Sequence, residues 1–346
     1  MEPDLRGLPR AEIAAALTGL GEKPGNAGAV FLALHRLGAS DLALLPGVPP
    51  RVCRALGRAY SLAPLPLPER RLAAADGTSK LLFRFPGEAM AECVVLPAKD
   101  RQTACLSSQA GCSCGCTFCA TGALGLKRSL TPGEIIAQFE ACRSEAAGLT
   151  SLVFMGMGEP FLNWENVRKA ILILSDSRGR HFPQAKMTVS TVGVIPVIEE
   201  LTTSDLRVRL AVSLVAADPE LRARLAPMEK IYPLKSVLAA VREYCRARKA
   251  LVMLEYILLP GVNDRPSDSA KLAGLIAGIP GRLNLIPYNP PGGPGPASPR
   301  IKEFQRELIA AGVITYLREE KGADIAAACG QLAAKPEMPP GYSPAR

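Results

Sequence analysis

The sequence predicts an α/β fold: an open, partial (β/α)6 barrel over residues 98–346, preceded by a helical module over 1–62 and a β-hairpin over 63–97. Three observations lead there. From about residue 102, apolar runs alternate with helix-like segments six times, which is the pattern of parallel βα units. Those runs are rich in Val, Ile and Leu with little polar alternation, as expected of strands covered on both faces. Six units fall short of a closed eight-fold barrel, so the strand ends should leave a mouth open, and ligands are expected at its C-terminal side.

Residues 1–62 carry short helical stretches divided by turn signals such as "GEKPGNAG" and "LLPGVPPRVCRAL". The second has the look of a helix-hairpin-helix, whose glycine turn offers N–H groups to phosphate; a plain helical packing module fits equally. "KLLFRFPG" and "ECVVLPAK" form the hairpin. The six strands follow at 102–108, "SLVFMG", "KMTVST", "RLAVSLV", "LVMLEYILL" and "RLNLIPYNP". Between the first two, Thr131, Pro132 and Glu134 make a capping box, and Ile135, Phe139, Cys142 and Ala146 share one helical face. The "PPGGPGPASP" stretch at 290–299 reads as a loop.

Composition narrows the chemistry. The N-terminus shows no basic region followed by an apolar run, and no apolar stretch reaches membrane-spanning length, so a cytosolic protein with reduced thiols is expected. A formal charge of +9 favours encounter with polyanions, although aromatics at 5% give no base-stacking platform. The chain has only two histidines, His35 and His181. Histidine-rich zinc sites and Ser-His-Asp or Cys-His catalysis are therefore nearly excluded.

Among ten cysteines, four fall in "GCSCGCTFC" at 111–119. A structural zinc site draws its ligands from two separated knuckles, and the sequence has no second C-x-x-C. Disulfides are disfavoured by the compartment, and a redox pair leaves Cys112 unexplained. The remaining reading places Cys112, Cys116 and Cys119 on three irons of a [4Fe–4S] cluster, with a fourth iron open to a ligand. Cys114 is then a spare thiol. "FMGMGEP" at 154–160 follows the second strand; Gly156 and Gly158 would admit a ligand near the backbone, and Glu159 would accept from a cationic amine.

The C-x3-C-x2-C spacing after the first strand resembles the radical S-adenosylmethionine enzymes. Together with "ECVVLPAKDRQTACLSSQAGC", "GMGEP", "VSTVG", "LIPYNP" and "GADIAAACGQL", residues from about 80 to 335 are similar to the radical S-adenosylmethionine methyltransferases of ribosomal and transfer RNA, which methylate adenine at C2, with a related branch acting at C8. The resemblance implies a [4Fe–4S] cluster and two S-adenosyl-L-methionine molecules per turnover. It implies Cys329 as methyl carrier, Cys105 as the resolving thiol that forms a transient disulfide with Cys329, and Glu92 as proton acceptor. Taken singly, Cys105 and Cys329 also read as buried apolar residues and Glu92 as a solvated edge charge. The implied cofactor pocket comprises Gly158, Glu159, Ser190, Ser213, Leu214, Val215 and Asn289. At one point the chain departs from the family, having Val215 where Ser-Leu-His is common. The resemblance further implies an RNA substrate (rRNA, tRNA or both), a flavodoxin-type reductant and a monomer. Two other readings compete: the same radical fold acting on another substrate, or an iron–sulfur electron carrier or RNA-binding module whose cluster is structural and takes Cys114 as fourth ligand.

Overall fold

The computed structural model describes residues 2–146, 148–290 and 297–334. Helices α1 (Arg10–Gly19), α2 (Ala27–His35) and α3 (Pro50–Gly57) build the N-terminal region. Its core is made by Ile13, Leu17, Phe31, Leu34 and Leu56, all essentially buried. The buried Arg6 guanidinium ties this region together, donating to the carbonyls of Leu34 at 3.1 Å and Ala39 at 3.0 Å. The helix-hairpin-helix look of the 44–56 segment corresponds to one α-helix only. Before its glycine turn stands a single 3-10 turn, Leu42–Leu44, because Pro46 and Pro49 leave no room for a longer one.

Strands β1 (Arg70–Ala73), β2 (Ser79–Phe85) and β3 (Ala89–Ala98) run antiparallel, and β3 pairs antiparallel with β4 (Arg101–Cys105). The expected hairpin is β2–β3; β1 is an addition, four residues long and half exposed, too short to show a pattern. After β4 come the small hairpin of β5 (Gln109–Gly111) and β6 (Leu126–Ser129), with the one-turn α4 (Ala120–Ala123) between them. Then follow α5 (Pro132–Glu145), β7 (Ser151–Phe154), α6 (Trp164–Ser175), β8 (Met187–Thr191), α7 (Ile195–Thr203) and β9 (Arg209–Ser213). The chain continues through α8 (Pro219–Leu225), α9 (Leu234–Arg248), β10 (Val252–Leu258), α10 (Pro266–Ile276), β11 (Gly281–Pro287), α11 (Ile301–Ala310) and β12 (Thr315–Leu317).

All ten strands other than β5 and β6 form one sheet, in the order β1-β2-β3-β4-β7-β8-β9-β10-β11-β12. From β4 to β12 every pairing is parallel, so the six predicted strands are present and β12 makes a seventh. Among the described residues no ladder joins β1 to β12. The capping box of α5 forms as expected: Glu134 N–H donates to Thr131 Oγ1 at 3.3 Å and Thr131 N–H to the Glu134 carboxylate at 2.9 Å. Ile135, Phe139 and Cys142 are buried beneath it, and the helix ends one residue before Ala146. Most of the predicted 290–299 loop lies outside the described residues. No helix among the described residues is long and apolar enough to cross a membrane.

Candidate active site

The C-terminal ends of the parallel strands open into two adjoining cavities of about 130 and 200 Å³. Cys119, Arg318, Cys329 and Gly330 line both, so they share a wall.

The larger cavity gathers all four clustered cysteines with Gly158, Glu159, Ser190, Ser213 and Val215. The cysteine loop is fixed by Cys112 N–H donating to Gly125 O at 3.0 Å and Thr117 N–H to Leu225 O at 3.0 Å. Burial and the neighbouring Cys119 push the Cys116 thiol up to about 12, and burial likewise raises Cys119. Crowded thiols of this kind keep their protons until a cation displaces them, which is the behaviour of a metal-binding donor set. Among the described residues no three His, Cys, Asp or Glu side chains converge on one point as ligands of a single ion would. An iron–sulfur cube spaces its thiolates by its own width, so Cys112, Cys116 and Cys119 on one cavity wall suit a cluster better than a lone ion. Cys114 sits on the same wall and its hydrogen bond with Cys112 is the main influence lowering the Cys112 thiol, so geometry alone does not set it apart.

Glu159 is buried, and burial raises its carboxyl to about 7 against the opposing hydrogen bonds. Its oxygens accept Phe161 N–H at 3.0 Å and Val192 N–H at 2.9 Å, bracing the loop after β7 against the loop after β8. The Thr191 side chain also hydrogen-bonds the carboxylate, whose two oxygens still have acceptor capacity left for an amine. The two nearby glycines line this cavity and are also demanded by the chain's own packing. A Cβ on Gly158, at φ +95°, would lie 2.5 Å from Gln109 Cβ, and one on Gly156 would lie 2.6 Å from Ser107 Oγ.

Two predicted pocket residues stand elsewhere. Leu214 is absent from both cavity walls: alternation along the chain turns it into the core between Ser213 and Val215, where its N–H donates to Glu255 O at 2.8 Å. Asn289 lines the smaller cavity only. Val215, the family departure, adopts φ +69°, unusual for a β-branched residue, and its carbonyl accepts from Asn263 Nδ2 at 2.8 Å.

The smaller cavity holds Cys105, at the end of β4, together with Cys329. Both are free thiols. Burial, reinforced by Cys329, pushes the Cys105 thiol up to about 12, while Arg318 opposes the rise. Arg318 follows β12 and is anchored by its N–H on Leu285 O at 2.8 Å; Cys329 first, then Glu255, hold its guanidinium in the charged form. Glu255 is buried on β10 and accepts from Asn284 Nδ2 at 2.9 Å. Neither Arg318 nor Glu255 was expected from the sequence, since both need a tertiary partner to become meaningful. Glu92 is on neither wall: it is buried on β3 beside Lys80, so the solvated-edge reading of this residue does not hold.

A fully buried guanidinium supports the larger cavity from beneath. Arg222 of α8 donates to Leu214 O at 2.8 Å and to Val192 O at 2.7 Å, and pairs with the Glu229 carboxylate.

Fold and cysteine site together define a radical S-adenosylmethionine enzyme, and residues 106–273 match the Radical SAM superfamily. The crystal structure of a radical SAM methyltransferase from Sphaerobacter thermophilus superposes with a TM-score of 0.85 at 38% identity, covering 96% of this chain and all of that one. The dual-specificity RNA methyltransferase RlmN of Anaeromyxobacter dehalogenans is 42% identical over 96% of this chain and 92% of its own length. Its counterpart in Rhodospirillum rubrum is 40% identical over 95% and 80%. The chain belongs to the RlmN family of dual-specificity RNA methyltransferases.

Proposed function

We propose that this enzyme methylates C2 of adenine in both ribosomal and transfer RNA, using Cys329 as methyl carrier, Cys105 as resolving thiol and Glu92 as proton acceptor. The observation that carries this reading is the shared cavity of Cys105 and Cys329, opening through Cys329 onto the cysteine-cluster cavity. A ring carbon of adenine has no lone pair to attack a sulfonium methyl, so a carrier thiol beside a radical source answers the chemical need.

Cys112, Cys116 and Cys119 would hold a [4Fe–4S] cluster, which with S-adenosyl-L-methionine would supply one-electron cleavage and hydrogen-atom abstraction. Cys329 first accepts a methyl as the sulfonium carbon–sulfur bond breaks, and a second S-adenosylmethionine serves the radical step, giving two per turnover. After the carbon joins the ring, the odd electron of the adduct would pass back to the oxidised cluster, and Glu92 takes the ring proton. Cys105 gives up its proton and attacks the Cys329 sulfur, so that a disulfide forms as the sulfur–carbon bond breaks; the released carbon keeps the electron pair and takes up a proton to become the methyl, and an external thiol later reduces the disulfide. Arg318, between the two thiols and Glu255, favours the thiolate that Cys105 needs for this attack. The reading includes a flavodoxin-type electron donor, a monomeric enzyme and a cytoplasmic location.

Peptide mass spectrometry of the cluster-loaded protein, incubated with S-adenosylmethionine, tests it. One added methyl on Cys329, followed by 2-methyladenosine in digests of treated RNA, is expected. An unmodified Cys329 means that the radical chemistry serves another substrate, and 8-methyladenosine would move the target to C8.

A further inference from the structure

Glu92 is fully engaged where it stands. Its Oε1 lies 3.1 Å from Lys80 Nζ, and its Oε2 accepts the N–H groups of Ala333 at 3.0 Å and Ala334 at 3.1 Å. Lys80 Nζ also donates to the carbonyl of Ala326 at 3.1 Å. The two side chains sit diagonally across the β2–β3 ladder, where Lys80 faces Val94 and Leu82 faces Glu92, and both are buried. One ion pair therefore grips the 326–334 segment at both ends, with Cys329 between the grips.

Two further observations give this grip a purpose. The gripped alanines, Ala326 at φ +52° and Ala334 at φ +48°, are in the left-handed region that residues with a Cβ avoid, so the segment is held in a conformation it would not choose alone. Cys329 reaches both cavities, whereas Lys80 and Glu92 reach neither. A carboxylate closed off by a lysine and two amides can take no proton from a base bound in those cavities.

We infer that Lys80 is a positioning residue: with Glu92 it clasps the 326–334 segment so that Cys329 faces the cavity for methyl loading, and the clasp opens before Glu92 removes the ring proton. The inference rests on the carrier role of Cys329 and divides the reaction between two placements of one segment. In the clasped placement the carrier is loaded. In the open placement the segment has left Glu92, and the carboxylate is exposed to the RNA base.

The test uses full-length protein as Lys80→Met, Lys80→Arg and Glu92→Gln. Amide hydrogen exchange followed by mass spectrometry reads the 326–334 peptide, with exchange in α1 and α2 as the control for folding. In Lys80→Met the peptide should exchange faster by about tenfold or more while α1 and α2 keep wild-type protection. Methyl loading of Cys329 should slow by a similar factor. Transfer from the fraction already loaded to RNA, measured in a single turnover, should keep its wild-type rate because Glu92 is free. Lys80→Arg should restore loading, and Glu92→Gln should loosen the peptide and also stop transfer. Wild-type exchange and loading in Lys80→Met would overturn the inference, as would loading and transfer falling together in both Lys80 variants. Should Cys329 stay unmethylated even in the wild type, the carrier role fails, while the exchange comparison still decides whether the clasp exists.

Discussion

Replacing Arg222 by Met removes the charge that holds the floor of the larger cavity. The guanidinium is completely buried and pairs with Glu229, whose side chain is 9% exposed. Breaking a buried ion pair from one side leaves an uncompensated charge and costs about 3–5 kcal/mol. The Val192 carbonyl also loses its donor, at about 1 kcal/mol, while Leu214 O keeps the Ala216 N–H at 2.8 Å. Glu229 keeps one partner, the Leu234 N–H at 2.9 Å, which softens the loss. A net cost of about 4 kcal/mol is expected, a large part of the roughly 5–15 kcal/mol that a folded protein has in hand. Urea titration followed by circular dichroism measures it. The double variant Arg222→Met with Glu229→Leu should recover more than half, since an apolar pair of similar volume replaces two charges. A cost under about 1 kcal/mol for Arg222→Met, or additive losses in the double variant, would refute the assignment of Arg222 as the buried brace.

Cys116→Ala should lose the bound iron and the visible absorbance of the reconstituted cluster, whereas Cys114→Ala should keep both; iron loss in Cys114→Ala would instead favour a structural four-cysteine cluster. Gly158→Ala drives a Cβ against Gln109 at a φ of +95°, and should cost about 2–4 kcal/mol in urea titration together with the loss of cofactor affinity. His35 is buried with Nε2 unpaired, and burial, with Arg6 and Arg180 nearby, lowers it to about 3. The unfolded chain therefore binds a proton between pH 6.5 and about 3 that the folded chain refuses, so stability falls on acidification through that window, by on the order of 5 kcal/mol in total. In His35→Phe the difference from wild type should shift in favour of the variant as the pH of the urea titration is lowered, and a parallel pair of curves would contradict it.

How much of this was legible in the sequence depends on how local each signal is. Strands β4 and β7 to β11 announce themselves because each is an apolar run bounded by turns, and the start of α5 because Thr131 and Glu134 meet three residues apart. β12 was invisible: it has three residues, and Tyr316 and Leu317 are exposed. The four clustered cysteines could be placed together because only four other residues lie among them. That the Leu214 side chain lies off the cavity wall is already signalled by period-two alternation, which puts it on the face opposite Ser213 and Val215. Lys80, Arg222, Arg318 and Glu255 were missed for a different reason. A charged residue in an apolar run looks like a solvated edge until the fold supplies its partner, and those partners lie on other elements: Glu92 on β3, Val192 after β8, Cys329 beyond β12.

The open sheet also explains why the tail, rather than a strand, carries the second functional cysteine. β4 and β12 stand at opposite ends of the parallel run, with no ladder between them among the described residues, so the gap beside Cys105 is left to a segment outside the sheet. A segment leaving β12 is free to cross the mouth. It does so under contacts made to the far side: Gly322 N–H reaches Asp76 at 2.9 Å, Ala75 N–H reaches Asp324 at 3.0 Å, and Thr121 Oγ1 donates to Leu332 O at 2.6 Å. Lys80 and Glu92 complete the set from β2 and β3. A strand in that place would be fixed by a ladder of backbone bonds, lost only together. Side-chain contacts can be released one group at a time, which is what the two placements proposed for Cys329 require.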